Sequence, residues 1–241
     1  MEGVDLSIIV PVYNESSRLS KTFTELLNFL SIYQNLKVEI VFVNDGSVDK
    51  TGSMINDFIL ANPGQAKLID NAVNHGKGYV VRQGMLNSSG RYCLMIDADM
   101  STSMLEFEKF FPHVKNNKPI IIGTRTSADA LLLKKQPWYR QNLGKLYTII
   151  ANLVTGLKIK DHTCGFKLFS RKVVSEIFSI AVIDRWAFDT EILYLAKKMK
   201  YPVVEVGVRW ANDANSRMRL FRDAFLICMD LVRIITVHRK D

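Results

Sequence analysis

Asp97 and Asp99 stand one residue apart directly behind an apolar run, Tyr92–Ile96. A short apolar run of this kind reads as a buried parallel strand. In extended chain, side chains at i and i+2 share a face, so both carboxylates are expected to point into one crevice at the strand's carboxyl end. Open α/β sheets bind ligands at that end. Two hard oxygen donors there suit Mg²⁺ or Mn²⁺, which complete their shells with water and substrate phosphates, and Ser101 can add a contact through water. Asp also caps helices and turns, so the neighbouring elements must decide between the two roles.

Those elements can be read in order. Leu6–Val12 reads as a buried strand ending in Pro11-Val12-Tyr13-Asn14-Glu15, after which Ser16 or Ser17 caps a helix over about 18–32. Val38–Val43 is a second strand, leading through Asn44-Asp45-Gly46-Ser47-Val48-Asp49 to a helix over 51–61 capped by Ser47 or Asp49. Leu68–Ile69 is a short third strand. Asn74-His75-Gly76-Lys77-Gly78 then opens a helix to about Leu86, and Ser88-Ser89-Gly90 breaks the chain before Tyr92. This βαβαβαβ order with short connections predicts a mostly parallel, doubly wound α/β sheet with helices on both faces. Each strand-to-helix turn falls on the edge that carries Asp97 and Asp99, so the turns converge on the pair. Beyond it, Leu105–Lys115 reads as helix, Ile120–Gly123 as strand, 161–169 as turn then strand, Arg171–Ile180 and Asp189–Met199 as helices, and Val203–Trp210 as one edge strand.

With 241 residues, 48% hydrophobic and 23% charged, the chain belongs among globular proteins. It shows no repeat or linker, so residues 1–241 are expected to form one domain. The three cysteines, Cys93, Cys164 and Cys228, are far apart and lack CxxC spacing; they read as reduced thiols, not zinc ligands. A net charge of +8 calls for an anionic partner. Nucleic acid is disfavoured: Lys134, Lys135, Arg140 and Lys145 are interleaved with Leu131–Leu133, Trp138 and Tyr139 instead of forming a basic–aromatic strip. That mixture, over 128–160, fits an interfacial membrane segment, the alternative being a core helix with a solvated basic face. The segment 219–238 is a second amphipathic candidate, with Arg219, Arg222, Asp223, Asp230 and Arg233 expected opposite Phe221, Phe225, Cys228, Leu231, Val232 and Ile235. No signal peptide is evident, and no stretch reaches the roughly 18 apolar residues of a spanning helix. A soluble or peripheral protein is expected.

Pro11-Val12-Tyr13-Asn14-Glu15, Asn44-Asp45-Gly46-Ser47-x-Asp49-x-Thr51 and Asp97-Ala98-Asp99, in that order, resemble family 2 glycosyltransferases with the nucleotide-sugar-binding GT-A fold. Asn74–Gly78 with Arg82, Asp161–Lys167 and Asp184–Asp189 narrow the resemblance to the dolichyl-phosphate β-glucosyltransferase family. It extends from about Ser7 to Arg233. It implies inverting transfer of glucose from UDP-glucose to dolichyl (polyprenyl) phosphate, with Mg²⁺ or Mn²⁺, by a peripheral protein on the cytosolic face of the endoplasmic reticulum membrane if the source is eukaryotic. Alternatives are a dolichyl-phosphate mannosyltransferase using GDP-mannose and a non-catalytic nucleotide-sugar-binding protein. A membrane subunit or a second copy of the chain is a further expected partner.

The resemblance places Pro11, Tyr13, Glu15, Asp45, Lys77, Asp97, Ala98, Asp99, Trp186 and Asp189 at the nucleotide sugar. It places Asp97, Asp99 and Ser101 at the metal, and Arg125, Arg140, Ser216 and Arg217 at the acceptor phosphate; Asp97, Asp99, Arg125 and Arg217 are the catalytic candidates. Several have a plainer alternative. Asp45 accepts from uracil or ribose, or is the turn residue of Asp-Gly. Glu15 orients the nucleotide or favours a helix N-terminus. Lys77 sits in a Gly-flanked turn open to phosphate, or is a solvated charge. Arg125 and Arg217 can grip phosphate bidentately. Arg185, Trp186, Asp189 and Glu191 line a sugar pocket, whereas Phe188 is better suited to packing.

The chain departs from the family where Met100-Ser101-Thr102 replaces the more frequent Gly-Ala-Thr, and Asn215-Ser216-Arg217 a Gly-Ser-Lys. Family members usually begin with a membrane-spanning helix, and no such stretch occurs here. A phosphate monoester, with a second pKa near 6, is already an anionic nucleophile at neutral pH, so cations and paired carboxylates are expected in the site and no general base. Asn14-Glu15-Ser16 and Asn87-Ser88-Ser89 match the glycosylation acceptor pattern; a glycan on Asn14 would obstruct the nucleotide, which favours the cytosol.

Overall fold

Strand β1 (Leu6–Val12) is buried along its whole length, because it has a strand on either side and helices over both faces. The computed structural model describes residues 3–134, 136–213 and 220–240. Around β1 lie β2 (Val38–Asp45), β3 (Ala66–Asn71), β4 (Tyr92–Met95), β5 (Ile120–Thr124), β6 (Leu131–Lys134), β7 (Lys167–Ser170), β8 (Val203–Gly207) and β9 (Arg209–Ala211). Among the described residues the main sheet has seven strands, ordered β3-β2-β1-β4-β7-β5-β8, while β6 and β9 pair separately. All its neighbours run parallel except β7, which is antiparallel to β4 and β5. The carboxyl ends of the parallel strands therefore share one edge. The amino end of β7 joins them there, with Lys167 opposite Met95, the last residue of β4.

The helices are α1 (Leu19–Ile32), α2 (Thr51–Ala61), α3 (Lys77–Leu86), α4 (Phe111–Lys115), α5 (Trp138–Thr155), α6 (Arg171–Val173), α7 (Phe188–Lys198) and α8 (Leu220–Val237). Alternation along the strands divides the core into two layers. Ile9, Val41 and Val43 pack with α3 and α7 residues such as Val80, Val81 and Leu193. Ile8, Val10, Ile40 and Phe42 pack with Leu26, Phe29, Ile55 and Phe58 of α1 and α2 on the other face.

Four local expectations are revised. Arg18, not Ser16 or Ser17, stands at the N-cap of α1, without a side-chain cap bond. Lys50 holds that position at α2, although the Asp49 side chain does accept Thr51 N–H at 2.9 Å. The expected helix 105–115 is a 3-10 segment, Met104–Phe110, running into α4, because Pro112 has no N–H with which to continue one hydrogen-bond ladder. Val203–Trp210 is two strands, not one. The Asp129 carboxylate accepts Gly207 N–H at 3.1 Å and occupies the space a Cβ there would need, and the chain turns from β8 to β9.

Phe42 is fully buried, edge-on to Phe23 at 5.9 Å and to Phe58 at 5.7 Å. Phe42→Ala should lower unfolding free energy by about 3–5 kcal/mol in urea titrations, the usual cost of deleting a core aromatic ring.

Candidate active site

The chain arrives at the carboxyl edge in a series of turns tied together by side chains. Asn14, at φ 53°, accepts Val48 N–H at 2.8 Å, and Ser47 Oγ accepts Asn14 N–H at 2.8 Å. Thr51 Oγ1 accepts Glu15 N–H at 2.8 Å, while the Glu15 carboxylate pairs with Arg18 at 2.7 Å. The buried Asp45 carboxylate accepts from Asn74 Nδ2 at 2.8 Å, His75 N–H at 2.7 Å and Gly76 N–H at 3.0 Å. Asp45 is thus engaged in building the loop ahead of α3. Pro11 is buried in β1, Tyr13 is half exposed at the rim, and Ala98 is buried with its carbonyl accepting from Thr22 Oγ1 at 2.6 Å.

Asp97 and Asp99 come together by a different route from the strand pleat that the sequence suggested. β4 stops at Met95, and the next residues form a turn closed by Met100 N–H to Asp97 O at 3.1 Å, with Met100 at φ 49°. Lys21 of α1 holds this turn from outside, its ammonium donating to the carbonyls of Asp99 and Met100 at 3.2 and 3.1 Å. Inside, Lys77 Nζ lies 2.6 Å from Asp97 Oδ1 and 5.8 Å from the centre of the Trp186 ring. Deeper still, Lys167 Nζ pairs with Asp189 at 2.7 Å, both nearly inaccessible. Gly165 is required here, because a Cβ at that position would sit 1.9 Å from Asp97 Oδ2.

The electrostatics follow from burial and from these pairings. Burial opposes the Lys77 ammonium, but Asp97, Asp189 and Asp99 outweigh it and raise its pKa. Burial opposes the Asp97 carboxylate too, yet Lys77 holds its pKa below the usual range. Asp99 goes the other way: burial and then the Asp97 charge push it up. Asp189 is likewise raised by burial despite Lys167 and Lys77. The cluster is short of positive charge at Asp99.

Arg125 follows β5 and lies on Asp161, Nε to Oδ2 and Nη2 to Oδ1 both at 2.7 Å, with Nη2 also 2.7 Å from Thr163 Oγ1. Burial opposes the Asp161 carboxylate, but Arg125 brings it down to about 2. The guanidinium, 5.3 Å from the centre of the Trp210 ring, forms one wall of a cavity of about 460 Å³. Arg140, Lys145 and Lys160 add positive charge to its lining, and Leu132, Ile149 and Trp210 supply apolar surface. The cavity and the carboxylates are linked through the segment 161–165, in which Asp161 holds Arg125 and Gly165 lies against Asp97.

With this geometry in view, the comparisons are specific. Residues 7–178 match the family model for glycosyl transferase family 2. The chain belongs to that family. It is 36% identical to the dolichyl-phosphate β-glucosyltransferase of Dictyostelium discoideum, over 97% of this chain and 75% of that protein. It is 33% identical to the protein of the same name from Drosophila melanogaster, over 99% and 80% of the two chains. The fold is shared with glucosyl-3-phosphoglycerate synthase from Mycobacterium tuberculosis in complex with Mn²⁺, UDP-glucose and phosphoglyceric acid, at 15% identity and a TM-score of 0.66, over 96% of this chain and 78% of that one. The chain is a family 2 glycosyltransferase, and its sheet is the expected GT-A fold.

The residues fit a divalent ion. Asp97 and Asp99 are adjacent hard donors, and Asp99 Oδ1 is oriented by Ser101 N–H at 2.8 Å. Among the described residues, three or more acidic, His or Cys side chains nowhere gather into a metal cage.

The other site residues read from the sequence divide by position. Lys77, Trp186 and Asp189 join the carboxylate pair, and Arg125 and Arg140 line the cavity. Ser216 and Arg217 lie outside the described residues. Asp161, Lys160 and Lys167 are site residues that the sequence does not single out one by one, although Asp161–Lys167 carries part of the family resemblance. A lysine opening an apolar strand, Lys167-Leu168-Phe169, was the available signal.

Arg125→Met would leave Asp161 buried without its partner. Loss of one member of a buried pair typically costs about 3–5 kcal/mol; since Arg125 is 22% exposed, the lower end, about 3 kcal/mol, is expected in urea melts at pH 7. Because the Asp161 pKa is depressed when folded, this loss should be fully present above the unfolded value of about 4 and vanish as pH falls toward about 2.

Proposed function

We propose that the protein transfers glucose from UDP-glucose to dolichyl or another polyprenyl phosphate, with inversion. The observation that carries this reading is that one short segment touches both places: Gly165 lies against the Asp97 carboxylate, and Asp161 with its partner Arg125 lines the basic, apolar-walled cavity. A donor diphosphate and an acceptor phosphate can then approach one another between opposed cations. The identities of donor and acceptor are supported by the names of the relatives, dolichyl-phosphate β-glucosyltransferases. An acceptor with a phosphate head and an apolar tail suits the lining of the cavity.

In this reading Lys77 and the α3 loop hold the diphosphate, Trp186 and Arg185 face the sugar, and Asp97 and Asp99 hold Mg²⁺ or Mn²⁺. The ion, when bound, supplies charge neutralisation for the departing diphosphate. Arg140, Lys145 and Lys160 draw in the acceptor phosphate, whose second ionisation is near pH 6, so its oxygen attacks without losing a proton to the enzyme. The new bond forms at the anomeric carbon opposite the departing oxygen. That carbon–oxygen bond breaks, its electron pair leaves with UDP, and the α-linked donor gives a β-linked product. The whole chain acts as one domain.

We also assign the exposed apolar surface of α5 to a membrane. Trp138, Leu146, Ile149 and Leu153 are 75%, 51%, 56% and 78% exposed, on the helix whose Arg140, Lys145 and Ile149 line the basic cavity. Among the described residues no helix is long and apolar enough to cross a membrane. This surface supports interfacial binding, and the names of the relatives, dolichyl-phosphate β-glucosyltransferases, favour the endoplasmic reticulum, where we assign the protein to the cytosolic face. The C-terminal helix needs one revision. Asp230, expected on its polar face, is 4% exposed on the buried side of the helix, because packing on α5 and α7 sets the inner face. The side chains of Phe221, Arg222, Asp223 and Phe225, and all of Lys135 and Arg219, lie outside the described residues.

Asp99→Asn should abolish glucose transfer and weaken Mn²⁺-dependent UDP-glucose binding while leaving the melting temperature within a few degrees of wild type. Turnover by the variant at the wild-type rate would remove Asp99 from the metal. UDP should stabilise the protein more than GDP in the presence of Mn²⁺; the reverse would shift the donor to GDP-mannose.

The wild-type protein should float with anionic liposomes at low salt and release as salt rises, since each basic residue near an anionic surface contributes about 1 kcal/mol. Trp138→Glu/Leu146→Glu should stay at the bottom of the gradient. Equal flotation of both proteins would assign the apolar face of α5 to something other than lipid.

A further inference from the structure

The segment 181–187, which carries Arg185 and Trp186, lies between α6 and α7 and has no secondary structure of its own to fix it. It is fastened from two sides. On one side it rests on the start of α3, with Asp184 O accepting Tyr79 N–H at 3.1 Å. The approach leaves no room for side chains: a Cβ at Gly76 would lie 2.5 Å from Asp184 O, and one at Gly78 would lie 2.3 Å from Ile183 O. On the other side is Glu191, fully buried in the first turn of α7. Its Oε1 accepts Val182 N–H at 2.8 Å and its Oε2 accepts Ile183 N–H at 2.9 Å.

A third group meets this carboxylate from the far end of the chain. His238, 2% exposed and just past α8, places Nε2 2.7 Å from Glu191 Oε1. The Lys198 ammonium, from α7, donates to the His238 carbonyl and seats the turn. The inner face of α8 points the same way, through Ile227, Asp230, Leu231 and Ile234. Asp230 Oδ2 has no hydrogen-bond partner among the described residues, and Arg185 is the foremost positive charge acting on that carboxyl.

We propose that His238 is a positioning residue: through Glu191 it latches segment 181–187, and so the C-terminal helix sets where Arg185 and Trp186 meet the donor sugar. The argument is one of satisfaction. A buried carboxylate with three donors is fixed, and removing one leaves it free to turn from the other two. The two amides it holds belong to a segment already pressed against the backbone at Gly76 and Gly78, so any release is read as displacement of the loop. Displacements of about an ångström are enough to weaken transfer chemistry. The part concerning the sugar rests on the reading above that Trp186 and Arg185 face it; the latch itself does not.

The test uses the full chain with His238→Ala and His238→Gln, the latter keeping an N–H donor close to the position of Nε2. Hydrogen exchange is measured at Val182 and Ile183, and UDP and UDP-glucose affinities are measured with Mn²⁺ by calorimetry. His238→Ala should exchange both amides about tenfold faster or more, bind UDP as wild type does, and bind UDP-glucose several-fold more weakly; His238→Gln should restore both readouts. Should the alanine variant fail to fold, His238→Asn, whose shorter amide reaches Glu191 less well, is carried through the same measurements. Unchanged exchange at Val182 and Ile183 overturns the latch. Faster exchange with an unaltered preference between UDP-glucose and UDP overturns the assignment of the segment to the sugar, leaving the rest of the proposed reaction standing. Equal weakening of both nucleotides reduces His238 to general stability and also overturns the proposal.

Discussion

Charge in a confined space governs the arrangement at the sheet's carboxyl edge. Asp97, Asp99 and Asp189 are set against Lys77 and Lys167, so among the described residues the cluster has one carboxyl in excess of its ammonium groups. Burial makes that excess costly, and it concentrates at Asp99, whose carboxyl is pushed up by burial and by Asp97. Arg125 is close enough to act on Asp97, but its own charge is largely committed to Asp161. The cluster is therefore organised to accept positive charge at one point while remaining internally paired elsewhere. In the proposed reaction this is the point at which an ion neutralising the departing diphosphate would be held.

The antiparallel strand β7 is what makes the pairing possible. A parallel strand in its place would bring a carboxyl end to this edge. The reversal brings the amino end instead, with Lys167 opposite Met95 and beside Asp189. The residues immediately before β7 then lie over the carboxylates: Gly165 makes room for Asp97, and Asp161 takes the guanidinium of Arg125. Four consecutive contributions, Asp161, Thr163, Gly165 and Lys167, come from one short approach to one reversed strand.

The sequence disclosed what depends on local pattern. β1, α2, α3 and the start of β4 lie where apolar runs and turn residues put them, since periodicity and Gly or Asp punctuation are local signals. The direction of β7 was not legible, because Lys167-Leu168-Phe169-Ser170 carries no mark of which neighbour it will face. Nor was the break between β8 and β9, which depends on Asp129, far away in sequence. The same division runs through the site. Asp97 and Asp99 announced themselves by spacing, but their turn does not follow the strand pleat and requires φ 49° at Met100, where the family more often has glycine. Lys77 on Asp97 and Arg125 on Asp161 are pairings across 20 and 36 residues. No motif encodes them.

Helix α5 shows how an exposed element can still be part of a site. Its outer face carries Trp138, Leu146 and Leu153, but its inner face is joined to the site by a chain of hydrogen bonds. Tyr147 OH and Thr190 Oγ1 are 2.5 Å apart, Thr190 Oγ1 and His162 Nδ1 3.2 Å, and His162 Nε2 and Asn152 Oδ1 2.9 Å. The direction of the chain is determined at one end. Burial, followed by the Lys167 charge, brings the His162 pKa down to about 4, so the ring is neutral at pH 7 and carries one N–H. Asn152 Oδ1 can only accept, so that proton is on Nε2; Nδ1 must then accept from Thr190, and Thr190 from Tyr147. Each proton in the line has one acceptor, and Asn152 Oδ1 also takes Ile159 N–H at 3.2 Å, with Tyr147 and Asn152 on α5 at the two ends of the line. Thr190 adjoins Asp189, and His162 adjoins Asp161, so the helix is held against both charged pairs without adding a charge. Its outer face is consequently presented in a fixed orientation before anything binds to it, and the placement of that face and of the cavity wall beneath it are one constraint.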